Sequence, residues 1–264
     1  MFCLSLTPSM EYNLEQEIQL DLIPSLFLAE ADHMPASQYL AMDDFSVRNY
    51  TVSLILQATK NVHGSLPYLA INYLDRFLSI HRVPESKSCV MNLIAVSCIS
   101  LAMKMTESEF LPSMYGIEWS MVEKMEMVIL GALKWRMRSI TPFPFLNYFL
   151  RSTNLEVSSL RDRVKARAIE LIRASQKDVK MLGFKPSIIA ASAVLCACRE
   201  VFPAGLCCVT ESISSCDFVS TAAMLQCLKK MMLVEETAGS ETPASVLEHM
   251  PTFDWEWEPM LPEN

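Results

Sequence analysis

The chain has 264 residues and a formal charge of −8, with 51% hydrophobic residues and 6 glycines against 18 methionines. That much apolar material builds a core and excludes a disordered chain. The scarcity of glycine excludes a collagen-like, turn-rich β or glycine-loop nucleotide-binding fold, and the acidity argues against a nucleic-acid binder that works by neutralising phosphates. The excess charge is local. After Val234 there are eight acidic residues and no Lys or Arg, while residues 1–234 are balanced at 22 against 22. The pattern is that of a neutral body that recognises by shape, with an acidic tail.

Residues 1–40 read as a mixed leader with a short helix at Ser25–Glu30, ending before Pro35. Val47–Ala58 is apolar on nearly every side, as a helix contacted by several others would be. Leu66, Leu69, Ala70, Tyr73, Leu74, Phe77 and Leu78 follow helical spacing and predict an amphipathic helix. Cys89–Lys104 predicts a central apolar helix; Asn92, Ser97 and Ser100 interrupt its run, which is shorter than the roughly 20 residues of a membrane span. Ser120-Met121-Val122-Glu123 has the form of a capping box opening a helix to about Leu133. Thr141-Pro142 marks another start, a hydroxyl followed by proline at the first helical position, for a helix to about Arg151. Further helices are expected over Arg163–Leu182, Pro186–Glu200 and Phe218–Met232. No segment alternates with period two, so the fold class is all-α. Residues 93–102 align on 188–197 with four identities in ten, and Lys104 then falls on Arg199. With the Thr141-Pro142 boundary this suggests two helical bundles, each around a small-residue helix.

Reactive chemistry is sparse. The nine cysteines (Cys3, Cys89, Cys98, Cys196, Cys198, Cys207, Cys208, Cys216 and Cys227) are odd in number and several lie in apolar helical patterns, which predicts reduced, buried thiols. Cys196 and Cys198 are too close for a zinc knuckle, so no metal site is expected. His33, His63, His81 and His249 are scattered and read as exposed or structural. No phosphate-binding loop, dinucleotide fingerprint, zinc-protease motif or nucleophile elbow is present. The expectation is no catalytic residue, no metal and no cofactor.

The segment Leu69-Ala70-Ile71-Asn72-Tyr73-Leu74-Asp75-Arg76-Phe77-Leu78-Ser79 resembles the signature helix of cyclins, plant D-type cyclins in particular. Ser100-Leu101-Ala102-Met103-Lys104-Met105, the stretch from Met125 to Phe143, Phe184-Lys185-Pro186-Ser187-Ile188-Ile189-Ala190 and the leader Leu26–Glu30 followed by His33-Met34-Pro35 are similar to further family motifs, in order. The resemblance is nearest to the divergent sixth subclass. It implies two tandem five-helix cyclin boxes: extension 1–40, first box 41–139, second box 140–233, and an acidic disordered tail 234–264.

The resemblance implies a regulatory subunit, not an enzyme, that forms a heterodimer with a cyclin-dependent kinase and activates it at the G1/S transition, in the nucleus and partly in the cytoplasm. Neither nucleic acid nor membrane is an expected partner. Lys104 and Glu126, both facing the partner rather than the core, match the kinase-contacting pair, and Leu101, Met105, Leu130, Trp135 and Met137 would supply apolar contact around them. Read from the residues alone, Lys104 and Glu126 would be a solvated helix-end lysine and a surface carboxylate. Arg48 and Asp75 match a structural ion pair. Two departures bear on substrates. The docking groove for R-x-L segments is degraded at Val47, Tyr50, Thr51 and Leu54, with a polar Thr51 and no tryptophan. The L-x-C-x-E element that grips retinoblastoma-type proteins is not seen, so such a substrate would be held weakly or differently. An adaptor or decoy that binds a kinase or transcription complex without activating it is the alternative. The basic run Arg161, Arg163, Lys165, Arg167 and Arg173 reads as a solvated helix face or an import patch. Thr242-Pro243 reads as a turnover segment and a proline-directed phosphosite, and Phe253–Glu258 as a disordered stretch, with a short docking motif as the alternative.

Overall fold

The computed structural model describes residues 22–36, 38–60, 62, 65–83, 88–107, 116–153 and 157–238. Cys3, His63, His249, Thr242-Pro243 and Phe253–Glu258 lie outside the described residues. The described chain forms α1 (Ile23–Ala29), α2 (Ser46–Ala58), α3 (Leu66–Leu78), α4 (Ser88–Met105), α5 (Trp119–Ala132), α6 (Pro142–Ser152), α7 (Ser158–Ser175), α8 (Pro186–Val201), α9 (Leu206–Ser214) and α10 (Thr221–Ala238), with short 3₁₀ turns between some of them. Among the described residues there is no strand.

The helices build two cores. In the first, α2, α3 and α5 surround α4, whose residues Leu93–Ala102 are all buried. In the second, α6, α7, α9 and α10 surround α8, buried without a break from Pro186 to Cys198. The two aligned small-residue segments are therefore the hubs of the two bundles. Alanine and serine there let several helices approach closely, and the buried Ser192 hydroxyl is satisfied by donating to the Met224 carbonyl at 3.0 Å. By length and composition α4 could cross a membrane; here it is the hub of the first core.

The expected faces of α2 and α3 are exchanged. Val47–Ala58 was expected to be contacted all round, but only Arg48, Thr51, Val52 and Ile55 of α2 are buried, a single stripe. The amphipathic α3 is buried at every position except Asn72. Its second face meets the second bundle, where Tyr68 joins that core and packs edge-on against Phe143 at 5.7 Å.

Several helix ends also differ. The capping box does not form. Helix α5 begins at Trp119 with Glu118 as N-cap, so Ser120 sits inside the first turn, 3.5 Å from the Glu118 carboxylate. Thr141 is the N-cap of α6 with Pro142 following, but its hydroxyl makes no cap bond. The helix expected to reach Leu182 stops at Ser175, and a 3₁₀ turn covers Val179–Gly183. The last helix starts at Thr221 and runs through Val234 to Ala238, past the expected start of the tail.

The leader is a strap on the second bundle. Phe27 enters an aromatic cluster with Phe145, Phe149 and Phe218, at 4.7, 6.3 and 4.8 Å between ring centroids. Glu30 is fully buried; it accepts from the Ser187 backbone N–H at 2.9 Å and the Ser187 hydroxyl at 2.8 Å, with Lys185 Nζ at 3.7 Å. A carboxylate at the start of α8 satisfies orphan helix donors and meets the positive end of its dipole.

Candidate partner-binding site

The buried polar group at the bundle junction is Arg48. Its Nε donates to Asp75 Oδ1 at 2.7 Å and its Nη2 to Oδ2 at 3.1 Å, with both side chains almost wholly buried. The remaining guanidinium donors reach the Gln176 and Lys177 carbonyls at the end of α7, at 2.8 and 3.2 Å. Gln176 Nε2 returns a bond to the Tyr68 carbonyl at 3.2 Å. Burial pushes the Asp75 carboxyl up from its ordinary range and the Arg48 charge opposes that rise. The pair thus ties α2, α3 and the second bundle together, which is a scaffolding role.

A second polar cluster lies at the outer end of the first bundle. Lys104, in the last turn of α4, is 2.5 Å from Glu126 Oε2 on α5 and stands 5.3 Å over the Trp119 ring. The two ends of this bridge differ. The Lys104 side chain is 52% exposed and the Glu126 side chain 7%. Glu126 Oε1 is buried with no hydrogen-bond partner among the described residues. Glu126 is therefore neither a surface carboxylate nor a wholly outward-facing group, as the two sequence readings had it.

Of the apolar residues expected around the pair, Met105 and Trp135 are exposed, at 41% and 63%, and Leu130 is half-buried. Leu101 and Met137 are buried in the first core. They support the surface from beneath, because their turns of α4 and of the 134–139 segment point inward. Met127 and Val128, which the motif reading left out, are exposed on α5 beside Glu126; an apolar residue on an otherwise polar helix face was their signal.

Trp135 is held outward by its backbone. Lys134 and Trp135 have φ of 52° and 60°, the left-handed region that favours glycine. The Trp135 N–H donates to the Leu130 carbonyl at 2.9 Å and the Lys134 N–H to Gly131 at 3.0 Å, a Schellman ending with lysine where glycine is usual. Such strain, of order 1–3 kcal/mol per residue, persists only where surroundings impose it. Helix α3 does so. Tyr73 Oη donates to the Met137 carbonyl at 2.6 Å, and Arg76 Nη1 donates to the Arg136 carbonyl and Ser139 Oγ, both at 2.9 Å. These two signature-helix residues were missed as positioning groups, since their partners lie 60 or more residues away.

The groove residues rearrange in another way. Thr51 was expected to place a polar group in the groove. It is buried instead, its hydroxyl donating to the Val47 carbonyl at 2.7 Å. The polar element is Tyr50, whose hydroxyl donates to Asn92 Oδ1 on α4 at 3.3 Å. Val47 and Leu54 are half-buried beside it.

The expectation of buried thiols holds for Cys98, Cys196, Cys198 and Cys227, whereas Cys207 and Cys208 are exposed on the short helix α9 and Cys89 and Cys216 are half-buried. Burial pushes the Cys198 and Cys227 thiols up to about 11 and raises Cys98 as well, so these sulfurs stay protonated. Among the described residues no three His, Cys, Asp or Glu side chains cluster as a metal site would require. Arg167, in the basic run, pairs with Glu200 at 2.7 Å and Glu170 at 3.0 Å, and Arg163 is exposed.

The sequence profile of the cyclin N-terminal domain matches residues 21–138, and that of the cyclin C-terminal domain residues 140–252. A cyclin-D6-1 of Arabidopsis thaliana is 39% identical over 91% of this chain and 86% of its own length. The chain belongs to the plant D-type cyclins. Cyclin-D6-1 of Oryza sativa subsp. japonica is 31% identical over 86% of this chain and 77% of its own. Among solved structures, a viral cyclin from herpesvirus saimiri superposes with a TM-score of 0.61 at 18% identity, covering 81% of this cyclin and 97% of that chain. A chain of the CAK complex from Chaetomium thermophilum bound to ATP-γ-S gives 0.54 at 13% identity, covering 90% and 77%. At those identities the likeness is one of fold. The second box has the five helices of a cyclin box; the first shows four among the described residues, with residues 108–115 outside them.

Proposed function

We propose that this cyclin binds a cyclin-dependent protein kinase through the Lys104–Glu126 surface and activates it, promoting the G1/S transition in the nucleus. The observation that carries the reading is Glu126 Oε1, buried and without a hydrogen-bond partner among the described residues, beside an exposed Lys104 ammonium. A buried carboxylate oxygen without a donor is an unmet demand. A partner helix end brings both kinds of missing group, N–H donors for Glu126 and C=O acceptors for Lys104. Met105 and Trp135, exposed beside the pair, offer apolar area that anchors such a helix. A kinase is switched on when its C-helix swings inward so that the glutamate on it meets the ATP-site lysine. A surface that grips that helix only in the inward position shifts the equilibrium by its differential affinity. The chemistry remains the kinase's, and the cyclin acts as regulatory subunit.

The Tyr50–Asn92 bond favours a second reading, an adaptor or decoy that binds without productive activation. It ties polar groups across the α2–α4 groove where an apolar floor would receive substrate segments. Retinoblastoma-type proteins remain candidate substrates on the first reading, recruited by another surface. Co-expression with a plant cyclin-dependent kinase, followed by assays on histone and on a retinoblastoma fragment, separates the readings. Stable binding with phosphorylation supports activation; stable binding without it supports the adaptor; no binding overturns both.

A further inference from the structure

The first 139 residues are acidic, with 10 Lys or Arg against 15 Asp or Glu. Three of those ten cations fall within five residues: Lys134, Arg136 and Arg138, all exposed. They flank Trp135 in sequence, and Arg136 and Arg138 line, with Asp32, His33, Met105, Trp135 and Met137, an open groove between the leader and the end of α5. Among the described residues Asp32 is the one acidic residue in its wall. The groove is continuous with the Lys104 surface through Met105. Its backbone is fixed in advance, because Arg76 and Tyr73 hold the Arg136 and Met137 carbonyls from below. A basic, rigid, partly apolar groove set in an acidic half-molecule is a charge pattern that orients an incoming partner.

We propose that Arg136 and Arg138 make this groove a specificity element for an acidic segment of the kinase, in which one or more carboxylates flank an apolar side chain seated on Trp135 and Met105. The inference rests on the reading of the Lys104–Glu126 surface as the kinase site. The two arginines act on encounter and register. A kinase surface that is neutral or basic at that place docks more slowly, so the cyclin discriminates among kinases by rate.

The test is the association rate of full-length cyclin with a plant cyclin-dependent kinase, measured from low to high salt, for the native chain, R136E/R138E and Lys104→Ala. Charge reversal is expected to slow association at least tenfold near 0.01 M salt, where the Debye length is about 30 Å. The difference should vanish near 1 M, where it is about 3 Å. Thermal melts should be unchanged, since both side chains are exposed. Neutralising kinase surface carboxylates one at a time should reveal at least one whose loss relieves the R136E/R138E penalty. Equal rates and equal salt dependence for native and reversed chains would overturn the proposal, and so would faster association of the reversed chain. If Lys104→Ala still weakens binding in those cases, the kinase-site reading stands and only the charge element fails. If Lys104→Ala binds normally, the site reading fails and the proposal with it.

Discussion

The two boxes share a plan and differ in what they leave unsatisfied. In the second, a hub buried without a break is wrapped by four helices and sealed by the leader, and the charge the leader brings, Glu30, is matched by Ser187 and Lys185. In the first, polar groups are set into and around the core: Arg48 and Asp75 at the junction, Arg76 under a strained segment, Glu126 half-matched at the rim. The proposed kinase surface lies where the chain tolerates strain and, among the described residues, an unmet hydrogen bond. The second box supplies the rigidity that lets it do so, since Arg48 spends two of its donors on Gln176 and Lys177.

The contrast can be broken most severely at the junction. Arg48→Ala leaves Asp75 as an uncompensated buried charge and frees two carbonyls, so stability should fall by about 3–5 kcal/mol. A thermal melt reads this directly, and the transitions of the two boxes should separate. Next comes the seal of the second box. Glu30→Ala strands the Ser187 N–H and hydroxyl and should cost about 1–3 kcal/mol, seen in a melt and in faster amide exchange at the start of α8. The third change has the opposite sign. Lys134→Gly removes the left-handed penalty at that position and should stabilise the chain by about 1 kcal/mol, measured by denaturant unfolding, while loosening Trp135 and weakening kinase binding.

The smallest effect is pH-dependent. Burial and the neighbouring Arg76 and Arg136 charges hold His33 below its ordinary 6.5, against an opposing pull from Asp32. A base with a depressed folded value binds protons more readily when unfolded, so its contribution is intact above 6.5 and is lost as pH falls. Leader protection from amide exchange should therefore weaken between pH 7.5 and 5.5, and His33→Gln should flatten that dependence.

Much of the fold is legible in the sequence because its strongest signals are local. The Ala- and Ser-rich hubs announce themselves by composition, and Pro142 and Pro186 mark helix starts that the structure reproduces. What misleads is the environment. The stripe of α3 predicts one buried face, yet the second face is covered by helices more than 60 residues further on. Helix α9 escapes notice because its buried stripe is only Val209 and Ile213, within nine residues that follow Pro203 and Gly205. Family motifs point to Lys104, Glu126 and Trp135, but spacing cannot say that Leu101 and Met137 face inward or that Glu126 is buried on one side. Glu30 is invisible for the same reason, its partner lying 157 residues away.

The central claim is that the rim of the first box grips a kinase, and affinity measured by calorimetry tests it most directly. Native chain and the double variant K104A/W135A are titrated with the same cyclin-dependent kinase, each with a melt alongside. A charge-assisted bond from Lys104 is worth about 1.5–3 kcal/mol and Trp135 adds apolar contact, so the account predicts a loss of about a hundredfold in affinity; the melt should fall, because Glu126 loses its ion-pair partner, but leave the variant folded at the titration temperature, because both replaced side chains are largely exposed. Native affinity in a normally folded double variant would contradict it.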